Sequence, residues 1–418
     1  MIAADLAAEA GPQVAPLPVD VTEESSTDAM PAAALAAHDG ACGHGPGRAS
    51  LAPKRRPAAQ SNDFPREHRQ MTMTFPRASR RTLLLGAGVL ALPTVARAQT
   101  QYRAEYKLSV VGNRPIPLSE GAFQWADLVT QRSGGRINVK VYPGSQLVGG
   151  DQTRELVAMR QGVIDMAVFS TINISPQVRE MNVFSLPFLL RDHRGFDAII
   201  NGEVGQDLFR VLSTREVVPV AWGENGFREL SNSKREVRRP EDLRGMKIRF
   251  AAGAIFSEIF TAMGANPLQM SFADLQPALS TGAVDGQENP VNLFLAFRMD
   301  TLAQKHLTIW NYVADAGIFV VGKQMMDSLA PADRDLVIAC AREAAAKQIE
   351  ASRKGTGIGG DRSALEECAR RGVAVAELTA AEKEAFARVT RPVYDKWAQT
   401  VGSALVEKAQ AAINRAIS

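Results

Sequence analysis

From about residue 106 onward, the apolar residues of the chain switch repeatedly between the spacing of a strand and that of a helix. Apolar and polar side chains alternate in Tyr106–Gly112, Arg136–Tyr142 and Ile164–Phe169, as expected of half-buried strands. Amphipathic helical patterns lie between them, over Pro117–Val129 and Thr153–Gln161. Strands that alternate with helices are typical of parallel sheets covered by helices, so the pattern predicts an α/β fold.

The same alternation of strand and helix patterns begins again in the second half of the chain. A strand at Met246–Phe250 precedes a helix at Ile255–Met263. The segment Met159–Asp165 is also echoed by Leu279–Asp285, because each contains a helix end, a glycine, an apolar step and an aspartate. Helix–glycine–strand junctions are common, so an accidental match is the alternative. The echo otherwise favours two similar lobes with a ligand cleft between them, at the carboxyl ends of the strands.

Helix-forming residues dominate the C-terminal part of the chain. The segment from Pro331 to Arg371 is mostly Ala, Glu, Arg, Lys and Gln, which predicts a long helix with an interruption at Gly355–Gly360. A strand at Val373–Leu378 precedes a final helical stretch from Thr379 to the end. The predicted architecture is therefore a two-lobed α/β protein with long C-terminal helices.

Residues 1–70 are rich in alanine, proline and glycine and have no sustained apolar period. We interpret them as a disordered extension, or as the product of a start codon assigned too early. His38, Cys42 and His44 lie close together there, but three ligand-type residues in such a tract are a weak signal of a metal site.

Residues 71–98 have the three-part layout of a signal peptide. Arg80 and Arg81 precede the apolar run Leu83–Leu92, which is shorter than a membrane span, and Ala96–Ala98 supplies a small-x-small cleavage site. We expect export to the periplasm with cleavage after Ala98. The paired arginines favour the twin-arginine route, and the Sec route is the alternative.

Charge and cysteine content exclude several classes of function. The chain has 48 Lys and Arg residues against 45 Asp and Glu residues, a net charge of +3, so no nucleic acid or anionic membrane is expected as a partner. Three cysteines are too few for a disulfide scaffold. Cys340 and Cys368 remain after export in predicted helices, where we expect two buried thiols; a disulfide between them is the alternative.

No common enzyme signature occurs in the sequence. It lacks a Gly-x-Ser-x-Gly elbow, a phosphate-binding glycine-rich loop and a His-Glu-x-x-His motif. His193 and His306, the two histidines of the exported chain, have no companions at the spacing of metal ligands. We therefore expect no catalytic residues, no metal and no cofactor.

Polar residues at the ends of predicted strands are the candidates for ligand binding. Arg249 ends the strand Met246–Phe250, where its guanidinium could hold a carboxylate bidentately; a solvated strand end is the alternative. Arg228 follows a bend that contains glycine and asparagine. Asn289 carries both a donor and an acceptor, although Pro290 after it makes a helix cap the stronger local interpretation.

Together these segments resemble the solute-binding proteins of the tripartite ATP-independent periplasmic (TRAP) transporters, of the dicarboxylate-binding type. The resemblance covers about Tyr106 to Trp397, and its most specific run is Gly-Gln-Glu-Asn-Pro at Gly286–Pro290. The other matching runs, in order, are Gly135–Pro143, Phe184–Leu189, Glu224–Arg228, Asn232–Arg235, Pro240–Arg249 and Met263–Pro267.

This resemblance implies capture of a small organic carboxylate and its delivery to the small and large membrane subunits of a TRAP transporter. Arg249 matches the arginine that pairs with the ligand carboxylate, Arg228 matches a second arginine of the site, and Asn289 matches an asparagine that contacts the ligand. The remaining candidates are Ser170, which faces the cleft in the family, Asn113, which is weaker because its segment departs from the family pattern, and Trp222, Phe250 and Phe272, which would wall the pocket or belong to the core.

The resemblance also implies how the chain divides. Residues 99–225 with about 314–353 would form lobe I, 226–313 with about 354–385 lobe II, and 386–418 a C-terminal helix. We expect a monomer, with a dimer as the alternative. The rival functions are a receptor for a sensor or chemoreceptor and, from another class, a periplasmic enzyme on small organic acids with Glu224 or Glu288 as its base.

Overall fold

The computed structural model of this protein describes residues 102–418. The expected N-terminal extension, signal peptide and cleavage site lie outside the described residues. Within them the chain forms two mixed sheets covered by helices, which confirms the two-lobed α/β class. No helix in this part of the chain has an apolar stretch long enough to cross a bilayer.

Eleven strands make up the two sheets of the described chain. They are β1 Tyr106–Val110, β2 Val139–Pro143, β3 Met166–Ser170, β4 Val217–Phe227, β5 Glu229–Asn232, β6 Lys247–Phe250, β7 Asn266–Gln269, β8 Gly286–Asn289, β9 His306–Ile309, β10 Ala314–Gly322 and β11 Ala374–Glu377. The first sheet has the order β2-β1-β3-β10-β4 and the second the order β11-β9-β5-β8-β6-β7.

The sheets are only partly parallel, which corrects the simple expectation from strand–helix alternation. Strands β1, β2 and β3 run parallel, as do β6, β7 and β8, because helices connect them. Strands β10 and β5 are antiparallel to their neighbours in the two sheets. The reason lies in the crossings between lobes: the chain enters the second sheet through Arg228, directly after β4, and returns between Ile309 and Ala314.

Thirteen α-helices lie in the described chain. They are α1 Pro117–Arg132, α2 Glu155–Arg160, α3 Thr171–Ile174, α4 His193–Ile200, α5 Glu203–Ser213, α6 Ala254–Ala262, α7 Phe272–Thr281, α8 Val291–Ala296, α9 Lys323–Ser328, α10 Pro331–Arg353, α11 Ser363–Arg370, α12 Ala380–Val401 and α13 Ser403–Ile417. The interruption expected near Gly355–Gly360 is therefore the segment between α10 and α11.

Local chemistry explains where the long C-terminal helices begin and end. Helix α12 begins with a capping box, because Thr379 Oγ1 accepts from the Glu382 N–H at 3.3 Å and the Glu382 carboxylate accepts from the Thr379 N–H at 2.7 Å. After α10, Gly355 has a φ of 78°, and a Cβ there would lie 2.5 Å from the nitrogen of Ala364. Only glycine fits this turn, so the helix ends.

The apolar side chains bury themselves against both sheets. In the first lobe, Trp125 of α1 packs edge-on against Phe319 of β10 with ring centroids 5.4 Å apart, and its indole N–H donates to the Val337 carbonyl of α10 at 3.1 Å. Cys340 belongs to this core, whereas Cys368 of α11 lies in the core of the second lobe with Leu275 and Phe294.

Both thiols are buried and unpaired. Burial raises the pKa of Cys340, and it raises the pKa of Cys368 to about 12. We predict that a chain starting after residue 98 reacts with a thiol reagent at no site when folded and at both cysteines in denaturant. Formation of a disulfide-linked loop, visible as faster migration without reductant, would contradict this arrangement.

Candidate functional site

A small cavity lies between the lobes, where the carboxyl ends of several strands meet. The centre of a water-sized sphere can reach a volume of about 30 Å³ inside it. The wall consists of residues that follow β1 and β3, residues that follow β6 and β8, and residues at the crossings between the sheets. The polar side chains among them are Gln152, Ser170, Asn173, Asn225, Arg228, Arg249, Asn289 and Asp315.

Arg228 is the central side chain of the crossing from β4 to β5, and it is almost fully buried. Its Nε and Nη2 donate to the carboxylate of Glu288, the Nη2 contact measuring 2.8 Å, and its Nη1 donates to Asp315 Oδ2 at 3.0 Å. Burial alone would lower the pKa of Arg228, but Glu288 and Asp315 outweigh it and raise the pKa above its ordinary value. Arg228 is therefore paired with two carboxylates.

Asp315, at the start of β10, has partners for both carboxylate oxygens. Ser170 Oγ donates at 2.7 and 2.9 Å, Asn225 Nδ2 donates at 2.8 Å, and Arg228 donates from the other side. The carboxylate is fully buried. It thus holds together three chain segments, namely the end of β3, β4 and the crossing after it.

Arg249, at the end of β6, is equally buried but differently partnered. Its Nε and Nη2 both donate to the carbonyl of Met270, at 3.0 and 2.8 Å, and its Nη1 is buried without a hydrogen-bond partner in the described chain. No carboxylate within residues 102–418 forms a salt bridge with it. Burial lowers the pKa of Arg249 to about 9. The cavity wall therefore contains a cation with an unused donor and no counter-anion.

Asn289 ends β8 and does not cap a helix, since α8 begins at Val291 with Pro290 as its preceding residue. Its Oδ1 accepts from Arg228 Nη2 at 3.0 Å, and its Nδ2 donates to Gln287. The asparagine is thereby fixed on the cavity wall by groups on its own strand and at the crossing.

Gln152 links the two sides of the cavity. It follows β2 in the chain, and its Oε1 accepts from the backbone N–H of Phe272, at the start of α7, at 2.9 Å. Because these residues belong to opposite lobes, the hydrogen bond forms only when the lobes are close together. The structure therefore represents a closed cleft.

Of the eight predicted site residues, five line this cavity: Ser170, Arg228, Arg249, Phe272 and Asn289. The other three do not. Asn113 is exposed after β1. Phe250 packs parallel to Phe256 with ring centroids 6.3 Å apart and belongs to the core, whereas Trp222 is half-buried and stacks on Phe209 against the core, with ring centroids 4.8 Å apart.

Sequence reasoning missed four polar residues of the wall: Gln152, Asn173, Asn225 and Asp315. Asp315 carried a usable signal, because it is a lone charge among small apolar residues in Val313–Gly317. Asn225 lies in the matched run Glu224–Arg228. Nothing local marked Gln152, whose contact with Phe272 spans a long stretch of sequence.

Two α/β lobes that close over a polar cavity with an unpaired arginine define the class of the protein, a solute-binding protein for a small anion. The chain belongs to the bacterial extracellular solute-binding protein family 7 (DctP), whose family model matches residues 109–400. The predicted family, the solute-binding proteins of TRAP transporters of the dicarboxylate-binding type, is thereby confirmed.

Relatives of known structure and name support this assignment. A TRAP periplasmic solute-binding protein from Ralstonia eutropha H16, solved with bound (S)-2-acetolactate, is 54% identical with a TM-score of 0.74, covering 75% of this chain and all (100%) of that one. Another from Sulfurospirillum deleyianum, with bound succinate, is 28% identical with a TM-score of 0.68, covering 73% of this chain and 98% of that one. The C4-dicarboxylate-binding periplasmic protein of Rhodobacter capsulatus is 30% identical over 79% of this chain and 96% of its own length.

Because Arg228 forms buried ion pairs with two carboxylates, we predict that its removal strongly lowers the stability of the fold. Arg228→Ala leaves Glu288 and Asp315 buried without their cation, so the free energy of unfolding should fall by about 3–5 kcal/mol. Urea denaturation measures this loss, with Arg179→Ala, at an exposed arginine, as the control that changes little. A loss as small as that of the control would mean that the network contributes nothing.

Glu229, the residue after Arg228, predicts a pH dependence. Its Oε2 accepts from the N–H groups of Trp310 and Asn311 at 2.7 and 3.1 Å, yet burial raises its pKa from 4.5 to about 7. A raised pKa stabilises the fold fully below the unfolded value and loses that contribution as pH rises through the folded value, here up to about 3 kcal/mol.

Glu229→Gln should therefore make the free energy of unfolding less dependent on pH between about 4.5 and about 7. Part of the dependence should remain, because burial also raises the pKa of Glu155 to about 7. Urea titrations across this range compare the variant with wild type and with Glu241→Gln, an exposed control. An unchanged slope in Glu229→Gln would assign the pH dependence to other groups.

Proposed function

We propose that the protein captures a small organic carboxylate with Arg249, closes its lobes around it, and hands it unaltered to the membrane subunits of a TRAP transporter in the periplasm. The observation that carries this proposal is the buried guanidinium of Arg249, which has an unused Nη1 donor and no protein carboxylate to pair with. A buried cation without a counter-charge is costly, and a ligand carboxylate would relieve that cost.

The role proposed for Arg228 is different. Its donors already contact Glu288, Asp315 and Asn289, so it would position the site and contribute at most one further hydrogen bond. Asn289, Ser170 and Phe272 would complete the wall. We leave Asn113, Trp222 and Phe250 out of the proposed site because they do not line the cavity.

Ligand-driven closure follows from the same geometry. The cavity takes side chains from both lobes, so a ligand that contacts both binds the closed state more tightly and shifts the population toward it. The hydrogen bond from Phe272 N–H to Gln152 would add to this preference. Membrane subunits could then distinguish the loaded protein from the empty one by its shape.

The relative bound to (S)-2-acetolactate favours a compact acid, since it is 54% identical and aligned over its whole length. We therefore nominate short, branched 2-hydroxy acids as ligands. We also propose that the exported chain acts as a monomer and performs no catalysis.

Arg249→Met tests the proposal. The variant should remain folded, because an apolar side chain of similar length replaces an unpaired buried cation, while affinity for (S)-2-acetolactate should fall by about 100-fold or more. Isothermal titration calorimetry measures the affinity, and circular dichroism checks the fold. The matched control is Arg244→Met, at an exposed arginine outside the cavity.

A folded Arg249→Met that binds as tightly as wild type would reject the role of Arg249. A thermal-shift screen with (S)-2-acetolactate, succinate, D-erythronate and galactonate tests the ligand class independently, because a bound ligand stabilises the folded state. If none of these acids raised the melting temperature, the proposed carboxylate function itself would fail.

A further inference from the structure

The ionic groups buried around the cavity are balanced before any ligand enters. Arg228 and Arg249 contribute two positive charges, and Glu288 and Asp315 contribute two negative ones. The pairing is uneven, since both carboxylates contact Arg228 and neither contacts Arg249. One ligand carboxylate would therefore find one unpaired cation, and a second would find none.

Asp315 determines what the wall away from Arg249 can offer. Ser170 directs its hydroxyl hydrogen at this carboxylate at 2.7 Å, and Asn225 directs one of its two amide hydrogens there at 2.8 Å, so both hydrogens are engaged before a ligand arrives. Arg228 also donates one of its Nη1 hydrogens to Asp315. This wall therefore contains a buried carboxylate whose negative charge repels a second anion.

We propose that Asp315 is a specificity-determining residue that restricts the cavity to monocarboxylates whose other end is uncharged and excludes dicarboxylates. The proposal rests on the proposed function of Arg249 as the carboxylate partner. It distinguishes this protein from the relatives at about 30% identity whose names or bound ligands are C4-dicarboxylates.

A matched pair of acids isolates the charge. (S)-2-Acetolactate and 2-hydroxy-2-methylmalonate share the hydroxyl, the methyl group and the first carboxylate, and differ in that an acetyl group replaces the second carboxylate. Like charges brought together in a buried site are strongly disfavoured, so wild type should bind the monocarboxylate about 100-fold more tightly, as measured by calorimetry. The two acids have nearly the same shape, so size does not account for such a difference.

In Asp315→Asn, the ratio of the affinity for (S)-2-acetolactate to that for 2-hydroxy-2-methylmalonate should fall by about tenfold or more. The substitution removes the repelling charge, while Arg228 keeps its pair with Glu288. Asp335→Asn is the matched control, since it removes an exposed carboxylate that does not line the cavity and should preserve the ratio. A folded Asp315→Asn with the wild-type ratio would overturn the role of Asp315.

The wild-type protein also provides a test that needs no variant. Lowering the pH until the second carboxyl of 2-hydroxy-2-methylmalonate takes up a proton should strengthen its binding relative to (S)-2-acetolactate. Equal binding of both acids at neutral pH would overturn the selectivity and leave the proposed function intact. Binding of neither acid would overturn the proposed function together with this inference.

Discussion

The contact on which the rest of the site depends is the buried pairing of Arg228 with Glu288 and Asp315. Arg228 lies at the single residue between β4 and β5 where the chain leaves one sheet for the other. Glu288 comes from the second sheet and Asp315 from the first, so the guanidinium joins both sheets at the crossing. A buried cation with two carboxylate partners has a fixed position. This pairing therefore sets the geometry from which the cavity walls extend.

The pairing also decides what remains available to a ligand. Because Arg228 takes up both nearby carboxylates, Arg249 is left with only a backbone carbonyl as its acceptor. Its burial without a counter-charge is unfavourable for the empty closed state and becomes favourable once an anion enters. The preference for closure with ligand thus follows from an arrangement of charges, to which the hydrogen bond between Gln152 and Phe272 adds a direct link across the cleft.

The sequence predicted the α/β class, the two lobes and the strand ends that carry Arg249 and Asn289, because period and turn residues are local signals. The alternation did not predict β5 and β10, which are antiparallel to their neighbours, because pairing depends on how the chain crosses between sheets. Alternation along a strand separates its two faces but does not show which face lies toward the cleft. Trp222 and Phe250 were therefore expected either in the pocket wall or in the core, and the structure places them in or against the core. Gln152 could not be predicted as a site residue, because its partner Phe272 is remote in sequence.

The two arginines illustrate why residue type alone cannot assign a role in such a site. Arg228 directly follows a strand, Arg249 lies at the end of one, and both are buried, yet their pKa values move in opposite directions. The difference arises from the acids within reach: Arg228 has two and Arg249 has none in a salt bridge. The sequence shows where the two arginines are, but only the fold shows how many carboxylates pair with each of them. That number distinguishes an arginine with a structural role from one that is available to a ligand.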